Sequence, residues 1–259
     1  MTSYVNIEEI DEKSTIYVLR IAFSFLLGAA LLSVAAVLTY IQSGHTAHTY
    51  IASLSAIINC IAAYHYNEMI KLRSAQKISI STEWQMDALR HSDWAVTMPL
   101  LVLKLYALIN NPEQDLLLGG IDASALVATV MVLLGAYSRL GLDEMQSFSS
   151  MTPGDKLIGL SFYLASVVLL VFLLIDLCRS YSGVENDTIV YTFFLIWPLY
   201  GVVAIGAAYI RQHVSNPEYY PKNLALGKDC AYSALDVFSK ATFAWYTSSA
   251  AFGISVLGS

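Results

Sequence analysis

The sequence predicts an all-α protein, a bundle of seven membrane-spanning helices. Hydrophobic residues make up 56% of the 259 residues and charged residues only 13%, which is a membrane-protein composition. Apolar runs of about 20 residues, the length that a helix needs to cross a bilayer, also recur along the chain. We place the spans at residues 16–41, 50–70, 86–108, 117–137, 157–177, 189–209 and 224–256. Their connections are short, so neighbouring helices should alternate in direction within one bundle.

The first span is preceded by residues 1–14, a polar and acidic tail. This tail has no basic leader and no small-residue cleavage site, so we expect no signal peptide and a single transmembrane domain over residues 1–259. The net charge of −6 and the lack of a basic stripe exclude a nucleic-acid partner. The isolated residues Cys60, Cys178 and Cys230 are expected to be small core side chains rather than a disulfide or metal framework.

The second span carries His65 between Tyr64 and Tyr66. A histidine in a membrane helix is unfavourable unless it has polar partners. Two interpretations stay open for His65, a hydrogen bond between helices and a proton carrier.

The third span carries a polar stripe, because Arg90, Asp93, Thr97 and Lys104 follow one another at offsets of 3, 4 and 7 residues and so lie on one helical face. Such a row cannot face lipid and should line an internal path. From Asp93 to Lys104 the helix rises about 16 Å, or half a bilayer. Pro99 interrupts the backbone hydrogen bonds of this span, a defect that threonine hydroxyls and water can repair.

The fourth, fifth and sixth spans contain few polar groups. Met131 and Gly135 lie four residues apart in the fourth span, which makes room either for a flat ligand or for close helix packing. The fifth span is bulky but has no side chain polar enough to assign. In the sixth span Phe194 and Trp197 share a face just before Pro198, an arrangement that fits either core packing or the binding of a polyene.

The seventh span carries one carboxylate and one amine, Asp236 and Lys240, four residues apart and therefore on one helix face. A charge near the middle of a bilayer costs about 2.5–3.5 kcal/mol, so both residues are functional candidates. They form either a structural ion pair or a reactive pair, in which the lysine is used covalently as a Schiff base and the carboxylate stabilises its nitrogen.

The chain resembles the microbial (type 1) rhodopsins over almost its whole length. The resemblance is carried by two patterns, Asp236-Val-Phe-Ser-Lys240 in the seventh span and Arg90-x-x-Asp93-Trp94-x-x-Thr97-x-Pro99-Leu100-Leu101 in the third. It implies a seven-helix bundle that encloses all-trans retinal bound covalently to Lys240. Asp93 and Asp236 would be the counterion pair, with Arg90 beneath them. The residues expected to line the retinal pocket are Trp94, Met98, Leu101, Met131, Gly135, Phe194, Trp197 and Pro198.

Further resemblances are to particular groups of the family. His65 falls where proteorhodopsin-like pumps have a histidine bonded to the primary proton acceptor, and Tyr66 falls where a tyrosine bonds the second carboxylate. Lys104 stands where outward pumps usually have an acidic proton donor, a variant that resembles the exiguobacterial pump. The family usually has tryptophan and tyrosine where this chain has Phe194 and Trp197, so the pocket shape is expected to differ.

The resemblance implies a light-driven proton pump, an ion translocator rather than an enzyme. Lys240 would give its proton to Asp93, which is coupled to His65, and Lys104 would assist reprotonation. Asp93 and Thr97 follow the proton-pump pattern, which disfavours sodium transport. The expected partners are retinal, protons, membrane lipids and further copies of the chain, in a pentamer or trimer, and the expected location is the cell membrane as a multi-pass protein.

Three alternatives stay open. The pump is outward if the N-terminus is external, but the charges of the connecting segments favour the reverse orientation, which would make an inward pump. Basic residues cluster on the N-terminal face of the bundle, at Lys71, Arg73, Lys77, Arg139, Lys156, Arg211 and Lys222. The second alternative is a sensory photoreceptor. The third is a light-gated channel, which Leu100 to Leu103 disfavour because they make one half of the third span dry.

Overall fold

The computed structural model describes residues 7–109, 120–144, 153–180, 187–212 and 220–252, and these residues form a bundle of seven helices. We number the helices α1 to α7 along the chain. Six of them are α1 (Ile7–Ser43), α2 (Thr46–Ala75), α3 (Ile80–Ile109), α4 (Ile121–Glu144), α5 (Pro153–Ser180) and α6 (Asp187–Gln212). Helix α7 covers residues 222–252. The predicted all-α, seven-helix fold is confirmed.

The surface and interior of the bundle have the polarity expected of a protein in lipid. Large apolar side chains face outward, for example Leu31, Leu164 and Leu195, which is 71% exposed. Charged side chains such as Arg90 and Lys104 are 1% exposed. In water this distribution would be unfavourable, whereas in a bilayer polar side chains must face the interior. By length and composition, six helices of the described residues can cross a membrane, namely α1 to α6.

Helix α7 is divided by a π-helical turn, Val237–Thr242, which contains Lys240. An α-helical segment, Lys222–Asp236, precedes this turn and another, Phe243–Ser249, follows it. The charged residues of the first segment explain why hydropathy is weaker here than in the other helices. π-Helical turns are rare in proteins, and those that occur often lie at functional sites. The turn therefore supports Lys240 as a functional residue.

One local expectation changes with the structure. Cys60, Cys178 and Cys230 are exposed on the bundle surface, so the expectation that they are core side chains is wrong. A thiol is a small apolar group that lipid accommodates as easily as a protein core does. The hydroxyl of Thr97 donates to the carbonyl of Asp93 (2.9 Å) on the turn just before Pro99, within the polar stripe.

Candidate functional site

Three charged groups meet in the middle of the bundle. The Nζ atom of Lys240 forms an ion pair with Asp93 Oδ2 of α3 and lies 3.1 Å from Asp236 Oδ1 of its own helix. All three residues are 1% exposed. Buried charges are stable only when they are paired, so this arrangement of one cation and two carboxylates marks a candidate functional site.

The two carboxylates differ in how completely they are hydrogen-bonded. Asp236 accepts hydrogen bonds from Tyr66 (2.8 Å), Tyr200 (2.9 Å) and Trp94 (3.2 Å), in addition to its pair with Lys240. The Oδ1 atom of Asp93 has no hydrogen-bond partner among the described residues. Asp93 therefore has a free oxygen that can take a proton, whereas both oxygens of Asp236 are engaged.

Tyr200 is a site residue that the sequence reasoning missed. It lies three residues after Trp197 on α6 and so shares its face, which was the available signal. Besides its bond to Asp236, its hydroxyl lies 3.0 Å from the hydroxyl of Ser239. The phenol that reaches this carboxylate therefore comes from one turn after Trp197, the aromatic residue that the sequence predicts for this helix.

His65 lies beside Asp93 without a hydrogen bond to it. Its Nδ1 atom is 3.8 Å from Asp93 Oδ1, an ion-pair distance, and 3.0 Å from the carbonyl oxygen of Ile61 in its own helix. A carbonyl oxygen only accepts, so in this hydrogen bond Nδ1 is the donor. His65 is thus placed to act on Asp93 through charge rather than through a direct bond.

A cavity of about 680 Å³ lies next to these charges, between α3, α4, α5 and α6. Its size falls in the range of about 300–1,000 Å³ that is common for small-molecule pockets. Of the residues expected to line a retinal pocket, the cavity wall contains Trp94, Met98, Met131, Gly135 and Trp197.

The remaining three expected lining residues lie outside this wall. Leu101 is buried in the adjoining core, and Phe194 packs against that core. Pro198 is half-buried within α6. Lys240 is also outside the wall, but Trp94 and Tyr200 belong both to the wall and to the hydrogen bonds of Asp236.

The walls of the cavity suit an apolar cofactor. Its lining is largely apolar and aromatic, and the indole nitrogen of Trp197 is buried without a hydrogen-bond partner among the described residues. At Gly135 an added Cβ would lie 3.3 Å from Ser166 Oγ, so a side chain there would press against the wall. Glycine therefore lets α4 and α5 approach each other closely at this part of the cavity wall.

A closed ring of six buried ions fills the end of the bundle where α2 and α3 are joined. Each cation pairs with two anions and each anion with two cations, and every member is at most 5% exposed. In order around the ring the residues are Arg73, Asp229, Arg90, Asp87, Lys228 and Glu83, which pairs again with Arg73. We call this cluster the ion ring. Its charges sum to zero.

Of this ring, only Arg90 is a site residue that the sequence predicts. Glu83 and Asp87 precede Arg90 at offsets of 7 and 3 residues, so they extend the polar stripe of α3 by two turns. Asp229 lies seven residues before Asp236 on the same face of α7. The helical spacing of Glu83, Asp87 and Asp229 could therefore have indicated these three members of the ring. The contacts of Arg73 in α2 with α3 and α7 are not visible in any local sequence pattern.

Removing one member of the ion ring should destabilise the protein strongly. Asp229→Asn would leave Arg73 and Arg90 with an uncompensated buried charge, and such losses cost about 3–5 kcal/mol. We expect a clearly lower melting temperature in detergent than that of the matched variant Asp122→Asn, whose carboxylate is exposed. Equal melting temperatures for the two variants would contradict the ion ring as a stabilising unit.

Lys104 lies beyond Lys240, on the side opposite the ion ring. It is 1% exposed, and its Nζ atom lies 3.9 Å from the ring centroid of Phe243. A cation over an aromatic face is a favourable contact. Lys104 is therefore enclosed by protein rather than extended to the membrane surface.

Comparisons with known proteins identify the family and the fold of the chain. A family model described as bacteriorhodopsin-like protein matches residues 19–253, and no curated protein sequence matches the chain. The structure of the rhodopsin of Exiguobacterium sibiricum superposes with a TM-score of 0.64 at 16% identity, covering 93% of this chain and 98% of that one.

Two further structures show the same fold. Xanthorhodopsin, a light-driven ion pump with a dual chromophore, gives a TM-score of 0.68 at 18% identity over 94% of each chain. A light-driven proton pump from Leptosphaeria maculans gives 0.66 at 19% identity, covering 93% of this chain and 97% of that one. At such identities these structures establish the fold of the chain.

Proposed function

Because the chain belongs to the bacteriorhodopsin-like family, whose members bind retinal covalently through a lysine Schiff base, we propose that it is a light-driven proton pump. Lys240 is the lysine that we assign to the retinal, and Asp93 is the proton acceptor. The observation that carries the proposal is the unequal pair of carboxylates at Lys240, of which only Asp93 has an oxygen without a hydrogen-bond partner among the described residues.

Retinal, when bound, supplies the absorption of visible light and an isomerisation that moves the nitrogen of Lys240. The cavity beside Trp94 and Tyr200 has the size and the apolar walls for it. Met131 and Gly135 line the same wall from α4. Trp197 contributes an indole, and Leu101, Phe194 and Pro198 would support the wall from behind.

In the dark, one positive charge on the nitrogen of Lys240 faces two negative charges on Asp93 and Asp236. After illumination the nitrogen's proton passes to a carboxylate oxygen of Asp93. This transfer neutralises both of these groups and leaves Asp236 as the remaining anion, held by Tyr66, Tyr200 and Trp94. The hydrogen bonds to Asp236 keep it charged, so the proton goes to Asp93.

His65, Thr97 and Arg90 act on this transfer from nearby. His65 lies 3.8 Å from the free oxygen of Asp93, so a charge on its ring would change how readily Asp93 takes a proton. Thr97 holds the backbone carbonyl of Asp93 (2.9 Å). Arg90 belongs to the ion ring and lies one turn before Asp93 on α3, so a proton released toward that end of the bundle would pass it.

The proton has to be replaced from the other side of Lys240. Lys104 lies in that half, enclosed next to Phe243, and we assign it a role in assisting reprotonation. An ammonium group has protons to give and an amine can accept one. With the N-terminus external, this cycle would move protons outward.

The reverse orientation is the second candidate. The basic residues counted on the N-terminal face of the bundle favour a cytoplasmic position for that face. The same cycle would then carry protons into the cell. The measurement that tests the pump also gives its direction.

Illumination of cells that express the protein with retinal should change the external pH. Acidification indicates outward transport and alkalinisation inward transport, and a protonophore should abolish either change. Lys240→Ala in the same cells is the control. A wild-type protein that is coloured yet leaves the external pH unchanged would contradict the pump and favour a sensory role.

A further inference from the structure

A row of buried polar side chains lies between α1, α2 and α7, on the side of Lys240 that faces away from Asp93 and the ion ring. It starts at Asn59, whose amide nitrogen lies 3.4 Å from the carbonyl oxygen of Lys240 and 2.9 Å from that of Ser55. The oxygen of this amide, Asn59 Oδ1, is buried without a hydrogen-bond partner among the described residues. The row therefore begins in contact with the residue that must regain a proton.

Two pairs of hydroxyl groups continue the row. The hydroxyl oxygens of Ser55 and Thr247 lie 3.3 Å apart, and those of Ser33 and Ser248 lie 3.2 Å apart. Thr247 and Ser248 are neighbours in α7, so the two pairs follow one another around that helix. Ser33, Ser55 and Ser248 are completely buried.

Beyond these two pairs, Tyr40 lies on the same face of α1 as Ser33, seven residues or about 10 Å nearer the turn between α1 and α2. Tyr40 is 6% exposed, and its hydroxyl has no hydrogen-bond partner within the described part of the chain. The imidazole rings of His45 and His48 lie 6.4 Å and 5.1 Å from the Tyr40 ring, and both histidines are exposed. Gly44, with a positive φ of 76°, makes the turn that places them there.

These side chains have the chemistry that proton conduction requires. A hydroxyl group can accept one hydrogen bond while it donates another. Buried polar atoms without protein partners are the usual positions of ordered water, and such atoms lie at both ends of the row, at Asn59 and Tyr40. Hydroxyls bridged by water can therefore relay a proton over a distance that no single side chain spans.

We propose that Asn59, Ser55, Thr247, Ser33, Ser248 and Tyr40 form the route by which the nitrogen of Lys240 regains its proton, with His45 and His48 at its entrance. A proton from bulk water binds an imidazole of the entrance, each hydroxyl or water then takes one proton and passes one on, and the last is received by the nitrogen. No residue of the route gains or loses a proton over one cycle. The inference rests on the proposed pump function.

This route differs from the one along α3. Lys104 also lies in this half of the bundle, but its contact is the face of Phe243, which cannot relay a proton. Leu100 to Leu103 make the neighbouring part of α3 apolar. The row between α1, α2 and α7 contains hydroxyl groups that can relay a proton, whereas residues 100–103 of α3 have only hydrocarbon side chains.

The double variant Ser55→Ala/Thr247→Val tests the route in the full chain, loaded with all-trans retinal in liposomes. After a flash, we expect recovery of the visible absorption to slow by about tenfold or more, since positioned proton-transfer groups contribute at least that much. The initial bleaching, which reports transfer to Asp93, should keep its rate. The matched control Ser53→Ala/Thr242→Val removes the same atoms from the same helices outside the row, and it should recover as the wild type does.

A second measurement does not depend on retinal or on light. In a background without Cys60, Cys178 and Cys230, Ser55→Cys should react with a small water-soluble methanethiosulfonate in the unloaded protein. Ile57→Cys, two residues along α2 and facing lipid, should not react. Labelling of neither thiol would overturn a hydrated route.

The two proposals fail in different ways. If the wild type does not move protons in light, the pump function is wrong. If the wild type pumps but Ser55→Ala/Thr247→Val recovers as fast as its control, the route is wrong and the pump stands. Slow recovery of Lys104→Ala together with normal recovery of the double variant would assign the whole return path to α3.

Discussion

Lys240→Ala is expected to give a folded protein without visible absorption after incubation with all-trans retinal. The amine that would hold the retinal is then absent. Lys228 also pairs with two carboxylates, but these belong to the ion ring and not to the pair Asp93 and Asp236. Absorption spectra of the purified protein check this result. Proton transport in light should be lost completely.

The control for this variant is Lys104→Ala, which removes another buried amine of the same half of the bundle. It should bind retinal and be coloured. Loss of Lys240 also leaves Asp93 and Asp236 without their cation, so the folding of Lys240→Ala should be verified by circular dichroism. A coloured and pumping Lys240→Ala protein would mean that the retinal-bearing lysine is elsewhere.

Asp93→Asn is expected to shift the absorption to longer wavelength and to stop proton transport. The carboxylate stabilises the positive nitrogen in the dark state through a short Coulombic contact, and its loss lowers the energy needed to move that charge away from the nitrogen on excitation. The amide that replaces it cannot take up the proton. Spectra and light-induced pH changes in liposomes measure the two effects separately.

The comparison with Asp236→Asn distinguishes the two carboxylates. Asp236 is held by three hydrogen bonds from Tyr66, Trp94 and Tyr200, so its neutral variant should disturb the site and its colour while the acceptor oxygen of Asp93 remains. Full proton transport by Asp93→Asn, with none by Asp236→Asn, would mean that Asp236 is the proton acceptor and that Asp93 is the carboxylate that stays charged.

The number and order of the helices could be predicted from the sequence because hydropathy reports burial in lipid directly. Their ends could not. Helix α1 begins at Ile7, nine residues before the predicted span 16–41. Helix α5 runs from Pro153 to Ser180, so it begins four residues before the predicted span 157–177 and ends three residues after it. Apolar runs mark the hydrocarbon crossing, whereas a helix continues into polar sequence at either side. Parts of the predicted spans at 117–137 and 224–256, and residues 1–6 of the acidic tail, lie outside the described residues.

The candidate site could be predicted where its residues lie close together in sequence. Asp236 and Lys240, or Arg90, Asp93 and Thr97, lie on one face of one helix and are visible as periodic patterns. The partners from other helices were not visible in this way. Tyr200 and the members of the ion ring depend on how α2, α6 and α7 turn toward α3, which sequence spacing within one helix does not specify.

The π-helical turn at Val237–Thr242 rotates the part of α7 that follows it, about the helix axis, relative to the part that precedes it. In a regular α-helix each residue advances the chain by about 100° and 1.5 Å, so one residue fewer in this turn would swing everything beyond it around the axis. Asp236 would still face α3, but Thr247 and Ser248 would be carried away from Ser55 and Ser33. Because of this turn, one helix can place the carboxylate of Asp236 toward α3 and the hydroxyl groups of Thr247 and Ser248 toward α2 and α1.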